Sequence, residues 1–391
     1  MSGSSGRRRG EGERGHPAAV IAASAQTDYE RRPEPGASTG RLLAEAALAA
    51  IAQAGLEPHE VDGLGVSSFT LTPDRPIDFA WRTGLRLRWM MEDPLGLTVV
   101  QQARRAIETG DARNVVVVGG DRMDSSRFRE MTSRYNRTTE ARLVPIGAVG
   151  PNAQFSFLTA EHRRRHGLGP EAYGQVVKHQ RARAALHRNG LYREPLTLQE
   201  YRDAPLVTSE LRLFDCVPLV AGANAVVLRR ADEAGDGAVR LGGYGAVFNH
   251  DDQQGDGLHL GFDRIGRILR EEHGFEPERT DVLSLYDDYP VIVLQQLQEL
   301  GFLPEEDWPR FAAEGYRAGS AVVNPSGGLL CCGQAGAGGT LHGLVDAVEQ
   351  LQGRAGDGQL PAARRALVTN YGMILYRYGA CAAALMLEAG P

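Results

Sequence analysis

The chain has 391 residues, 42% of them hydrophobic and 24% charged, with a formal net charge of −6. That is enough chain for two domain-sized cores, and its mild acidity gives no electrostatic reason to expect nucleic acid or an anionic membrane. No apolar run approaches the roughly 20 residues that span a bilayer, and the four cysteines, with no CxxC pair, argue against a disulfide framework or a zinc site.

Residues 1–16 are basic and polar with no apolar core, so they read as a disordered arm rather than a secretory signal, and a cytoplasmic location is expected. Residues 17–24 predict a short apolar strand, and residues 39–55 a long amphipathic helix ending at a glycine stop. A second strand is expected over 61–67. Helical spacing of apolar residues over 98–110 then leads into the apolar run 115–118, typical of a buried strand. Alternation of this kind argues for α/β layers.

From residue 123 to about 213 the pattern breaks into a stretch rich in Arg and His, with a helix over 170–187, which reads as an insertion. A strand over 223–228 closes the first half, residues 17–235. The second half, 236–391, repeats the grammar: strands over 239–247, 282–285, 366–369 and 380–387, and helices over 262–273, 290–300 and 341–351. The parallel grammar suggests an internal duplication.

The most informative stretch is Asn324-Pro325-Ser326-Gly327-Gly328, followed by Gly333-Gln334-Ala335-Gly336-Ala337-Gly338-Gly339. Glycine clusters let main-chain N–H groups approach an oxyanion with no side chain in between. Between the two parts, Leu329-Leu330-Cys331-Cys332 reads as an apolar strand. Free cysteine is usually a small buried hydrophobe, yet Cys332 beside this loop is the leading candidate for a thiol nucleophile.

The glycine run resembles the thiolase signature NxxGGxxxxGHPxGxxG, with Gln334 where that family has its histidine. Other segments resemble the sterol-carrier-type thiolases: Glu45-Ala46 through Val61-Asp62-Gly63-Leu64, Ala106 through Asp121, and His187 through Leu219. The resemblance covers most of the chain past residue 17. It implies a thiolase fold with two similar α/β halves in a five-layer αβαβα sandwich, an inserted loop domain and a homodimer.

The same comparison removes the usual chemistry. Thiolases acylate a cysteine at a helix N-terminus, where the helix end lowers the thiol pKa; that position falls on or near Asp93, which with Pro94 also fits a simple helix cap. The family's HDCF segment, whose cysteine transfers protons, is Tyr286-Asp287-Asp288-Tyr289. Steroid side-chain aldolases share the fold, lack the cysteine and use a tyrosine in a Y-D-x-F-like segment, which Tyr286 matches. Their second tyrosine falls on Thr340, leaving His342 or one of Tyr371, Tyr376 and Tyr378 to cover that role.

The resemblance therefore implies a C–C bond made or broken beside an acyl thioester, aldol chemistry first. Tyr286, His342 and Asn370 are the expected catalytic groups. Asp93, Asp287, Asn324, Gly327, Gly328, Gln334 and Thr340 are expected around the substrate. No metal and no cofactor are expected beyond an acyl-CoA or acyl-carrier thioester as substrate, and Arg163-Arg164-Arg165, Arg181 and Arg183 are candidates for the CoA phosphates. A small OB-fold and zinc-ribbon partner protein is implied by the resemblance alone. Two alternatives stay open: an acyltransferase using Cys332, and a catalytically degenerate scaffold or acyl-binding subunit.

Overall fold

The computed structural model describes residues 18–71, 75–134, 137–251, 254–317, 321–372 and 374–390. The arm expected over residues 1–16 lies outside them. The described residues form ten strands and twelve α-helices. The first half runs β1 (Ala19–Gln26), α1 (Thr39–Gln53), β2 (Gly63–Ser67), α2 (Arg75–Thr83), β3 (Trp89–Glu92), α3 (Gly96–Thr109) and β4 (Asn114–Arg122). It continues through α4 (Ser125–Ser133), α5 (Pro151–His166), α6 (Pro170–Ala184) and α7 (Leu198–Asp203) to β5 (Ala221–Arg230). The second runs β6 (Val239–Phe248), α8 (Phe262–His273), β7 (Val282–Ser284), α9 (Pro290–Glu299), α10 (Trp308–Glu314) and β8 (Val322–Val323). It ends with α11 (Gly328–Cys332), α12 (Gly339–Leu351), β9 (Arg365–Gly372) and β10 (Cys381–Glu388).

The duplication is explicit in the strand order. The first half reads β3-β2-β4-β5-β1 across its sheet, and the second reads β8-β7-β9-β10-β6, which is the same permutation. The directions repeat as well: three parallel strands followed by two antiparallel ones in each half. The halves meet where β1 and β6 pair through Val20↔Arg240 and Ile21↔Val239.

Hydrophobic burial then builds five layers. Leu42, Leu43, Ala46, Ala47, Ala50 and Ile51 of α1 pack on the outer face of the first half. Helices α3 and α12 lie between the two halves of the ten-stranded sheet, with Leu97, Val100, Ala103, Leu341, Leu344 and Val348 in one shared core. Helices α8 and α9 cover the outer face of the second half. A helix enclosed on all sides is apolar almost all round. Helix α12 fits, apart from Thr340, Glu349 and the stripe His342, Asp346 and Gln350 at four-residue spacing, whose polar atoms find buried partners.

One expected element changes type. Residues 329–332, which read as an apolar strand, form the helix α11. A short apolar run does not distinguish the two by periodicity. What decides it is Gly327 and Gly328, both at positive φ, and the Asp287 carboxylate, which accepts the amides of Leu329 at 2.9 Å and Leu330 at 3.1 Å. The chain thus turns into a capped helix.

Candidate functional site

The ends of β2, β4, β7 and β9 converge on one side, and a cavity of about 320 Å³ opens beyond their carboxyl ends. This is where open α/β sheets place their ligands. Phe69 follows β2, Met123 follows β4, Tyr286 follows β7, and Ile374 follows β9. The wall is completed by Phe128 and Met131 of α4 and Phe155 of α5, so the inserted segment is its roof. A larger hollow of about 720 Å³ lies beside β8 and α10, but none of the expected site residues lines it.

The cavity's one carboxylate among the described residues meets a phenol and an amide at the β7 end. The Tyr286 hydroxyl donates to Asp288 Oδ2 at 3.0 Å and accepts from Gln334 Nε2 at 2.9 Å. Tyr286 is held from behind: its amide donates to Thr369 Oγ1, and its carbonyl accepts from Gln296. Gln334 is fixed by its own backbone: its amide donates to the Pro218 carbonyl and its carbonyl accepts from the Val220 amide. Tyr289 brings a second phenol to the cavity wall, stacked on Phe155 at 4.1 Å and donating to Asn152 Oδ1 at 2.6 Å.

Asp288 is the residue the sequence reading missed. Burial pushes its carboxyl up to about 7, with the Asp287 charge adding to the rise and hydrogen bonding from Tyr286 and Gln334 opposing it. Its Oδ1 is buried and has no hydrogen-bond partner. The signal was present: Asp288 occupies the place of the proton-transferring cysteine in the HDCF pattern.

Several expected site residues sit behind the cavity wall, tied to other work. Asp287 turns away to cap α11, with Gln180 Nε2 on its Oδ2 at 2.5 Å. Asn324 accepts the Leu285 amide at 2.8 Å. Gly327 and Gly328 are pressed against Ala184 and Gln180 of α6 and against Asp287, so their close approach is to protein. The void beside this loop is about 10 Å³, lined by Asn324, Ser326, Gly328 and His342 among others.

Asn370 and Thr340 form a clamp between the two central helices. Asn370 Oδ1 accepts the Leu97 amide at 3.1 Å while its Nδ2 donates to the Thr340 carbonyl at 2.9 Å; Thr340 Oγ1 accepts the Gly96 amide at 2.9 Å. Neither Asn370 nor Thr340 lines the cavity; in this structure both are engaged in the clamp. Asp93 lies short of the helix it was expected to cap: α3 begins at Gly96, and Asp93 Oδ1 accepts the Leu95 amide at 2.8 Å.

His342 is fully enclosed. Its Nε2 lies 3.0 Å from Ser326 Oγ and its Nδ1 lies 3.1 Å from the Tyr29 hydroxyl. Burial, helped by His187, pushes its imidazole down to about 3, so the ring is neutral. It does not line the cavity. Cys332 is 0% exposed, donates to the Ser326 carbonyl at 3.2 Å, and burial holds its thiol well above the ordinary range.

The remaining candidates are also engaged elsewhere. Tyr371 is buried at 1% exposure away from the cavity, Tyr376 stacks on Phe157, and Tyr378 donates to the Gly255 carbonyl. Arg181 lies over the Tyr192 and Phe214 rings, Arg183 bonds the Pro325 and Gly358 carbonyls, and Arg163 and Arg164 pair with Glu210 and Glu161.

Comparison with known proteins places this geometry in a lineage. Residues 248–382 match the family described as Thiolase C-terminal domain-like. Over 363 residues the chain is 29% identical to a protein named steroid side-chain-cleaving aldolase from Thermomonospora curvata, covering 86% of this chain and 90% of that one. It is also 29% identical over 362 residues to the 17-hydroxy-3-oxo-4-pregnene-20-carboxyl-CoA lyase of Mycobacterium tuberculosis, covering 86% and 92%. The solved Ltp2-ChsH2(DUF35) aldolase superposes with a TM-score of 0.80 at 27% identity, over 96% of this chain and 98% of that one. A monomeric SCP2-thiolase like protein from Mycobacterium smegmatis shares the fold, with a TM-score of 0.71 at 16% identity over 96% and 78%. The fold, the match over residues 248–382 and the aldolase relatives point the same way: they support a thiolase-fold chain similar to the sterol-carrier-type thiolases and to aldolase-type C–C lyases.

Proposed function

We propose that the cavity beyond β7 cleaves the Cα–Cβ bond of a β-hydroxyacyl-CoA by retro-aldol chemistry, with Tyr286 as the base. The observation that carries this reading is the Tyr286 hydroxyl in the cavity wall, held between Asp288 Oδ2 and Gln334 Nε2. Retro-aldol cleavage needs a group to take the β-hydroxyl proton and a donor for the enolate oxygen that develops. Tyr286 is fixed in orientation to do the first. An amide carries two donor hydrogens; Gln334 holds Tyr286 and Asp288 with them, and turning one from Asp288 to the thioester oxygen would supply the second.

The walls define the acyl partner. Phe69, Met123, Phe128, Met131, Phe155 and Ile374 surround the polar group, which favours a bulky apolar substituent on the carbon that becomes the carbonyl. Relatives named for steroid side-chain cleavage and for a pregnene carboxyl-CoA support that class. The solved relative assembled with a DUF35 protein supports a partner of that kind for this chain. CoA as carrier, a homodimeric assembly, a cytoplasmic location and the lack of any further cofactor are parts of the same proposal. No helix among the described residues is long and apolar enough to cross a membrane.

The acyltransferase alternative needs a thiol that meets substrate, and the enclosed Cys332 favours the aldolase reading over it. The test is direct: incubate the chain, alone and with a DUF35-type partner, with β-hydroxyacyl-CoA thioesters bearing apolar rings. Release of a ketone or aldehyde together with a shortened acyl-CoA is expected. Absence of cleavage in both arms would leave the scaffold reading standing instead.

A further inference from the structure

Among the described residues that line the cavity, Asp288 carries the only formal charge; the others are apolar, amide, hydroxyl or thiol side chains. A buried carboxylate kept for structure is normally paired with a cation or saturated with donors. Asp288 has neither. One oxygen takes the Tyr286 hydroxyl at 3.0 Å and the other, buried, has no hydrogen-bond partner. Its neighbour Asp287 shows what a saturated acid looks like here, with the Leu329 and Leu330 amides and the Gln180 side chain all donating to it. Such an arrangement costs stability, and costly ionisable groups collect where chemistry is done.

We propose that Asp288 is the proton store behind Tyr286: it takes the Tyr286 proton as Tyr286 takes the substrate's, and returns it for the final protonation. This rests on the aldolase reading above and deepens it. In the cleavage step the β-hydroxyl proton moves to the Tyr286 oxygen while the phenolic proton moves to Asp288 Oδ2. The O–H electron pair becomes the second bond of the new carbonyl, and the Cα–Cβ pair is left on the thioester as its enolate. In the return step Tyr286 protonates Cα and Asp288 gives its proton back to Tyr286. No oxidant, reductant or water is consumed.

The arrangement also explains why the phenol needs no cation beside it. A phenol titrates near 10 in water, and among the described cavity-lining residues there is no Lys, Arg or His to lower it. Coupling the transfer to Asp288 removes the need for a standing phenolate. The titratable groups around Asp288 are Tyr286 and Asp287 on its own loop, Tyr289 at the start of α9, and Cys216 from the segment before β5. Burial holds the Tyr289 hydroxyl well above its ordinary range and pushes the Cys216 thiol up to about 12, so neither titrates near neutrality. Asp288, at about 7, and Asp287, at about 6, remain.

The test compares wild type with Asp288→Asn, Asp288→Glu, Asp287→Asn and Tyr286→Phe, each checked for an unchanged unfolding midpoint and assayed from pH 5 to 9 with the partner present. Asp288→Asn is expected to lower cleavage by ~10²-fold or more and to abolish the limb that rises through neutral pH. Asp288→Glu should restore part of the rate, and Asp287→Asn should keep the limb. An infrared carboxyl band titrating near neutrality, lost in Asp288→Asn and shifted in Tyr286→Phe, reads the same pair without turnover. If Asp288→Asn keeps both rate and limb while Tyr286→Phe is inactive, the proton store is wrong and the aldolase reading survives. If Tyr286→Phe is as active as wild type, or wild type itself does not cleave, both fail.

Discussion

Asp287 and Asp288 are adjacent in the chain, and their carboxylates leave the loop on opposite sides. Asp287 reaches the amides of α11 and Gln180; Asp288 reaches the Tyr286 hydroxyl and the cavity. Successive side chains on extended backbone face opposite ways, so one acid builds the scaffold and the other faces the chemistry.

Tyr286→Phe should lower β-hydroxyacyl-CoA cleavage by ~10²-fold or more, the usual contribution of a positioned acid or base. The change deletes only the hydroxyl that Asp288 and Gln334 share, so substrate binding by the apolar wall should hold. Steady-state kinetics are expected to show the loss in kcat, with KM changed by less than about threefold.

Gly328→Ala should unfold the scaffold side of the loop. Gly328 sits at φ 62°, and an added methyl would meet Asp287 Oδ2 and Gln180 Nε2. Left-handed strain and overpacking together predict a loss of about 2 kcal/mol or more. Urea denaturation should move to a lower midpoint with an unchanged slope.

Asp346 sets a pH dependence of stability. Its carboxyl is buried at 2% exposure under the Ser326 amide and is pushed up to about 7, mainly by burial. An unfolded aspartate titrates near 3.9. Between those values the folded chain holds a proton that the unfolded chain has released, so stability falls as pH rises from about 4 to about 7. Asp346→Asn keeps an acceptor for Ser326 and should flatten that slope, gaining on the order of a few kcal/mol at pH 8 and nothing at pH 4. Thermal melts across that interval test it.

Cys332 should resist iodoacetamide in the folded chain, because alkylation needs an accessible thiolate and this thiol is 0% exposed and held protonated by burial. Mass spectrometry is expected to find it labelled only after denaturation. Cys332→Ala should keep cleavage within about twofold of wild type.

Met131→Trp should narrow the cavity from its α4 wall. For acyl groups with bulky rings, kcat/KM is expected to fall by about tenfold, the scale of a lost apolar contact or a modest clash. Short-chain thioesters should be nearly unaffected; equal losses for both would argue that the ring binds elsewhere.

The strands and long helices were legible because hydrophobic period and glycine stops mark them, and the duplication became explicit once the strand order was known. Tyr286 and Gln334 were legible from their places in family patterns. His342, Asn370 and Thr340 were drawn into the site by the same patterns. Nearness in sequence to a glycine loop does not report which side of a helix layer a side chain takes, and these three take the inner side. Asp288 was passed over because alternation tells that two adjacent acids diverge without telling which one meets the cavity. The helix over Leu329 to Cys332 depended on an acid 42 residues earlier, at Asp287.

The Asn370–Thr340 clamp bears on how this lineage relates to its sulfur-dependent cousins. The leading amides of α3, which in those enzymes would steady a thiolate, are already taken by Asn370 and Thr340, and a side chain at Gly96 would run into Leu341 and Thr340. Grafting a cysteine into this stretch would therefore leave it a protonated bystander. Acyl-enzyme chemistry at this helix end would first have to free the two amides that now brace the halves together.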